Sequence, residues 1–89
     1  MDRIRAEKFK AVRGILIDHW DPIGVKDVQQ AQDEYDSYVP GILRLLEQGA
    51  SVDVLTEHLS DIVSLQMGLT PVESKNKMAA DKLRQISLT

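Results

Sequence analysis

The densest set of chemically capable side chains in this sequence is Asp33-Glu34-Tyr35-Asp36-Ser37-Tyr38, three carboxylates and two tyrosines within six residues. Carboxylate pairs perform acid–base chemistry when a cleft holds them apart and shifts their pKa values, and one helical turn supplies neither condition. The same residues suit contact with another protein. Tyrosine offers area at low entropic cost, and carboxylates steer a basic partner toward the surface. On this reading Asp21, Glu34, Tyr35, Asp36 and Tyr38 form a partner-binding surface. The competing reading puts Tyr35 or Tyr38 in the core and leaves Asp33, Glu34 and Asp36 as helix caps.

Other constellations are thinner. His19 and His58 are the only imidazoles, and neither sits in a metal motif such as His-Glu-x-x-His. Asp18 beside His19, and Glu57 beside His58, point in different directions on a helix and make no dyad. None of the serines lies in a Gly-x-Ser-x-Gly turn, and the five glycines are scattered as turn, packing or cap residues. There is no cysteine, hence no thiolate nucleophile, disulfide or cysteine zinc site. No metal, cofactor or catalytic residue is expected. An enzyme or small-ligand carrier would need the fold to bring His19, Asp21 and Glu34 together around a pocket.

The 89 residues are enough for one domain and too few for two ordinary cores. With 43% apolar and 28% charged residues, the chain has the composition of a folded globular protein. Its charged start lacks the apolar run of a signal peptide, and no stretch approaches membrane-spanning length, so a cytoplasmic location is expected. The net charge of −3 hides an uneven distribution. Residues 1–14 hold five basic and two acidic residues, residues 15–62 two and ten, and residues 63–89 four and two. Either the basic ends pack beside the acidic middle and neutralise it, or the middle is offered to a basic partner. The basic face from Arg3 to Arg13 has few aromatic companions in an acidic chain, which argues against nucleic-acid binding.

Four stretches carry helical periodicity. Phe9, Val12, Leu16 and Trp20 mark a first helix from about Asp2 to Asp18, which Ile4 could extend and where Gly14 could admit a neighbouring helix. Trp20, Ile23 and Val25 then give the loop around Pro22 enough apolar content to plug one end of the core. Either Asp27 or Asp33 caps a second helix, whose face is Tyr35, Tyr38, Val39, Ile42, Leu45 and Leu46. Pro40 should kink or break it, and Gln48-Gly49 should end it. Ser51 caps a third helix with Leu55, Leu59, Ile62 and Gln66 in line, flanked by Val52, Val63 and Met67 and stopped by Gly68. Thr70-Pro71-Val72-Glu73 reads as a capping box opening a fourth, with a stripe of Val72, Ala79, Leu83 and Ile86 and a frayed end. The expected fold is all-α, a single domain of about four helices over residues 1–89, with antiparallel neighbours where connections are shortest.

Trp20-Asp21-Pro22-Ile23-Gly24-Val25, Asp33-Glu34-Tyr35-Asp36-Ser37-Tyr38 and Met67-Gly68-Leu69 together resemble the YugE-like family of small bacterial proteins of unknown function. The resemblance spans roughly residues 5–70 and leaves out residues 74–89. It implies a compact helical domain in the bacterial cytoplasm and an immunity-type role, with no established activity. The expected function is a non-enzymatic protein-binding module, an immunity-type inhibitor covering a basic site with its acidic, tyrosine-bearing surface. The alternative is a homodimeric structural protein whose apolar stripes exceed what one domain can bury.

Overall fold

Val12, Leu16 and Trp20 recur every four residues, and all three are buried, as one face of an amphipathic helix requires. In the computed structural model, which describes residues 2–86, this stripe belongs to α1 (Asp2–Ile15) and to a π turn, Leu16–Trp20, that continues it. The N–H of Asp21 reaches the Leu16 carbonyl at 2.7 Å, closing a five-residue turn in place of the usual four. The helix therefore runs past its expected end near Asp18, and Ile17 joins the core. Gly14 does not admit a neighbouring helix, because nothing lies within 4 Å of where its Cβ would be. In the loop that follows, Trp20 and Val25 enter the core as expected, but Ile23 is 44% exposed. The expectations for the Ile4 side chain and for residues 87–89 fall outside the described residues.

Neither Asp27 nor Asp33 caps a helix. Residues Gln29–Tyr38 form a 3₁₀ helix whose N-cap position is Val28, with no side-chain cap, and Asp33 lies inside it. The break expected at Pro40 takes the form of a change in helix type. The 3₁₀ helix passes directly into α2 (Val39–Glu47), and Pro40 sits in the first α turn, where its missing N–H leaves no bond unmade. Gly49, at φ 76°, ends α2 in a Schellman motif: its N–H reaches the Leu46 carbonyl at 3.0 Å, and that of Ala50 reaches Leu45 at 2.9 Å.

Ser51 caps α3 (Val52–Asp61) as the sequence predicts, its Oγ accepting the Val54 N–H at 3.2 Å. A second π turn, Ile62–Gln66, extends α3, and Gly68 then turns the chain at φ 67°. Leu55, Leu59, Ile62 and Val63 are buried, whereas Gln66 is exposed. The predicted capping box does not form. α4 (Glu73–Arg84) starts after an extended Val72 with no side-chain cap. Leu69, Thr70 and Val72 instead line a small cavity beside Trp20, and the helix begins only after them. Val72 is exposed, and the buried face of α4 is Asn76, Ala79, Ala80 and Leu83.

No strand occurs among the described residues, and the four α-helices share one apolar cluster. α4 packs most extensively on α3 and also meets α1 and its π turn, while α1 meets α2. The helices thus follow one another across the molecule as α3, α4, α1, α2. The closest packing is not across the shortest connection, the one between α2 and α3. Those two helices approach where a Cβ on Gly41 would lie 3.6 Å from His58 Nε2. Burial there lowers the His58 pKa from its ordinary value, opposed by the nearby Asp61 carboxylate. The thinnest extent of the molecule is 18 Å, about two helix diameters.

Open space around a mid-helix glycine makes Gly14→Ala favourable. The substitution should stabilise the fold by about 0.5–1 kcal/mol, seen as a higher urea midpoint at unchanged slope. A lower midpoint would mean that Gly14 is needed for the π turn that follows.

Candidate functional site

Asp21 adopts a left-handed conformation, φ 33° and ψ 59°, which aspartate tolerates because its short side chain bonds locally. Its Oδ1 accepts the Val25 N–H at 2.7 Å and its Oδ2 the Lys26 N–H at 3.1 Å, so the carboxylate holds the turn containing Pro22 and Gly24. Oδ1 also accepts the Tyr35 hydroxyl at 2.8 Å, and that hydroxyl accepts the Ile23 N–H at 3.2 Å. Burial, then the neighbouring Asp21, raises the Tyr35 pKa well above that of an ordinary phenol, although the Ile23 N–H pulls the other way. Both Asp21 oxygens are thus engaged by the turn and by Tyr35, and none of these bonds involves His19 or Glu34. Among the described residues, no three His, Asp, Glu or Cys side chains could hold a metal ion.

The 3₁₀ helix separates the residues grouped by sequence. A 3.0-residue repeat places Tyr35 and Tyr38 on one side, three apart, facing Trp20. The Trp20 and Tyr35 rings lie 5.2 Å apart and tilted, and the Trp20 and Tyr38 rings meet edge to face at 6.3 Å. Tyr35 is 0% exposed, so it supports the surface from behind and cannot touch a partner. Tyr38 is half-buried, while Asp33 and Glu34 are exposed. Asp36 forms a bidentate pair with Arg13 of α1, at 2.7 Å to Nε and 2.6 Å to Nη2. The bond to Asp36 raises the Arg13 pKa, and the guanidinium also lies 5.5 Å from the centre of the Phe9 ring. The basic first helix therefore does neutralise part of the acidic middle, as Arg13 does at Asp36.

A second concave region, missed by sequence reasoning, lies between α3 and the start of α4. It is an open groove of about 440 Å³ lined by Asp53, Thr56, Glu57, Ser60, Pro71, Glu73 and Asn76. Asp53 and Glu57 are four apart on α3 and continue to Asp61, an exposed acidic row on a helix without lysine or arginine. Asn76 also lines the cavity of about 70 Å³ beside Trp20, and its Oδ1 accepts the Trp20 indole N–H at 2.8 Å. The signal for this region was legible: a polar residue at 76 stands where the stripe Ala79, Ala80, Leu83 calls for an apolar one.

The chain matches no known protein family, no curated protein and no solved structure.

Tyr35→Phe should cost about 1–2 kcal/mol of stability in urea unfolding, because Asp21 loses a donor and the Ile23 N–H its acceptor. The wild type should also lose stability as pH rises above about 10, since the folded state resists the ionisation that the unfolded chain allows. In the phenylalanine variant this alkaline loss should be smaller, and an unchanged alkaline profile would assign it to other groups.

Proposed function

We propose that this protein is a non-enzymatic protein-binding module that presents an acidic face, bearing Asp33, Glu34 and the edge of Tyr38, to a basic partner. The observation that carries this reading is the exposure of Asp33 and Glu34 on a helix fixed from behind by the Tyr35–Asp21 bond and the Trp20–Tyr38 contact. A rigid backing lowers the entropic cost of docking, and exposed carboxylates raise the rate of encounter with a positive surface. Asp36 and Asp21 serve this face by positioning it, as does Tyr35. An immunity-type inhibitor, covering a basic active site in the bacterial cytoplasm as the YugE-like resemblance implies, is the form of this function we favour. Capture from source-cell extract should retain a basic protein on the immobilised wild type, weakened by salt. It should be lost with Asp33→Lys and Glu34→Lys combined, and equal retention by that folded variant would count against the proposal.

The alternative, a homodimer, draws on exposed apolar side chains near the end of α3 and the start of α4: Leu65 is 78% exposed, and Leu69 and Val72 are exposed too. Light scattering should then give a mass that rises with concentration toward twice 10.0 kDa. A constant monomer mass sets this alternative aside.

A further inference from the structure

Around the small cavity beside Trp20 the backbone departs from regular helix three times. Trp20 ends the first π turn and Val63 lies in the second, and both residues line the cavity. Asp21, between the lining residues Trp20 and Pro22, stands in the left-handed region at φ 33°. Wide turns and a positive φ at a residue other than glycine cost free energy, and they gather at functional sites. Here they meet around one cavity of about 70 Å³.

Its walls are chiefly apolar, formed by Trp20, Pro22, Val63, Leu69 and Val72. The indole is buried and its N–H is already given to Asn76 Oδ1, so the ring offers the cavity an apolar surface. A water molecule needs several polar partners, and such walls suit it poorly. The volume is about twice the roughly 30 Å³ that a water molecule occupies in the liquid, which is room for a branched alkyl end. The rim holds exposed residues, Leu69, Thr70, Val72 and Lys75. Lys75 is the one charged residue in the lining and makes no ion pair among the described residues. The nearby Glu73 lines the other groove. A cation would be repelled by Lys75, and an inorganic anion would leave the apolar wall uncovered. A short branched alkyl chain ending in a carboxylate meets both halves of the lining.

We propose that this cavity binds a short branched-chain carboxylate, its alkyl end against Trp20, Val63 and Leu69 and its carboxylate at the Lys75 ammonium. The site shares no residue with the Asp33–Glu34 face and does not depend on it. Trp20 is the only tryptophan, so its fluorescence reports on the cavity directly. Titration of the full chain with 3-methylbutanoate at constant ionic strength should change that emission saturably. The methyl resonances of Val63 and Val72 should shift with the same midpoint. Acetate keeps the charge and lacks the branched end; it should bind more than about tenfold more weakly, since each buried CH₂ is worth about fourfold. 3-Methylbutanamide keeps the shape and lacks the charge, and it should lose about fivefold, the most that a solvent-exposed ion pair is worth. Lys75→Gln, at an exposed position, should fold normally and bind 3-methylbutanoate with the same fivefold loss. Equal affinity for acetate or for the amide, undiminished binding by the folded Lys75→Gln variant, or unmoved Val63 and Val72 methyl resonances would each overturn the proposal.

Discussion

The bond from the Trp20 indole to Asn76 ties together parts of the chain 56 residues apart, and most of the tertiary arrangement is organised around it. An indole N–H buried in a domain two helices thick cannot reach water and must find an acceptor in the protein. Asn76 supplies it from α4, which fixes that helix against the end of α1. The faces and edges of the same ring receive Tyr35 and Tyr38, which fixes the 3₁₀ helix as well. One side chain thus sets the positions of three segments, and both candidate surfaces inherit their geometry from it.

Signals confined to a few neighbouring residues were legible in the sequence. Ser51 caps α3, Gly49 and Gly68 end helices in the left-handed conformation, and the stripe Leu55, Leu59, Ile62 is buried. These features depend on local hydrogen bonding and periodicity, which sequence spacing encodes directly. Features decided by distant partners were not legible. The Thr70 capping box gives way to a helix that starts after an extended Val72, and the polar stretch before Pro40 winds as a 3₁₀ helix whose repeat of three aligns both tyrosines with the indole. Of the candidate surface, the exposure of Asp33 and Glu34 followed from composition. The choice between the core and surface readings of Tyr35 and the pairing of Asp36 with Arg13 required the fold, whereas the groove around Asn76 had left its signal in the polar residue at 76.

Electrostatics divides the acidic middle into two kinds of carboxylate. Asp21 and Asp36 are held in directed bonds, one by a turn and a phenol, the other by a guanidinium, and both stiffen the structure. Asp33, Glu34, Asp53, Glu57 and Asp61 remain at the surface, where water screens their mutual repulsion. Carboxylates of like charge close together on a surface repel one another most at low ionic strength. Positive charge brought close from outside would relieve that repulsion, whereas the engaged carboxylates already have their partners.

Both wide turns, Leu16–Trp20 and Ile62–Gln66, contain one residue beyond what an α-helical turn needs. Rewinding the first as plain α-helix with no residue lost would swing everything after it by about 100°. The Asp21 N–H would leave the Leu16 carbonyl, and the turn that the Asp21 carboxylate holds would move away from Tyr35. The winding of this one turn therefore aims the segment that follows it, and the identity of its solvent-facing residues does not.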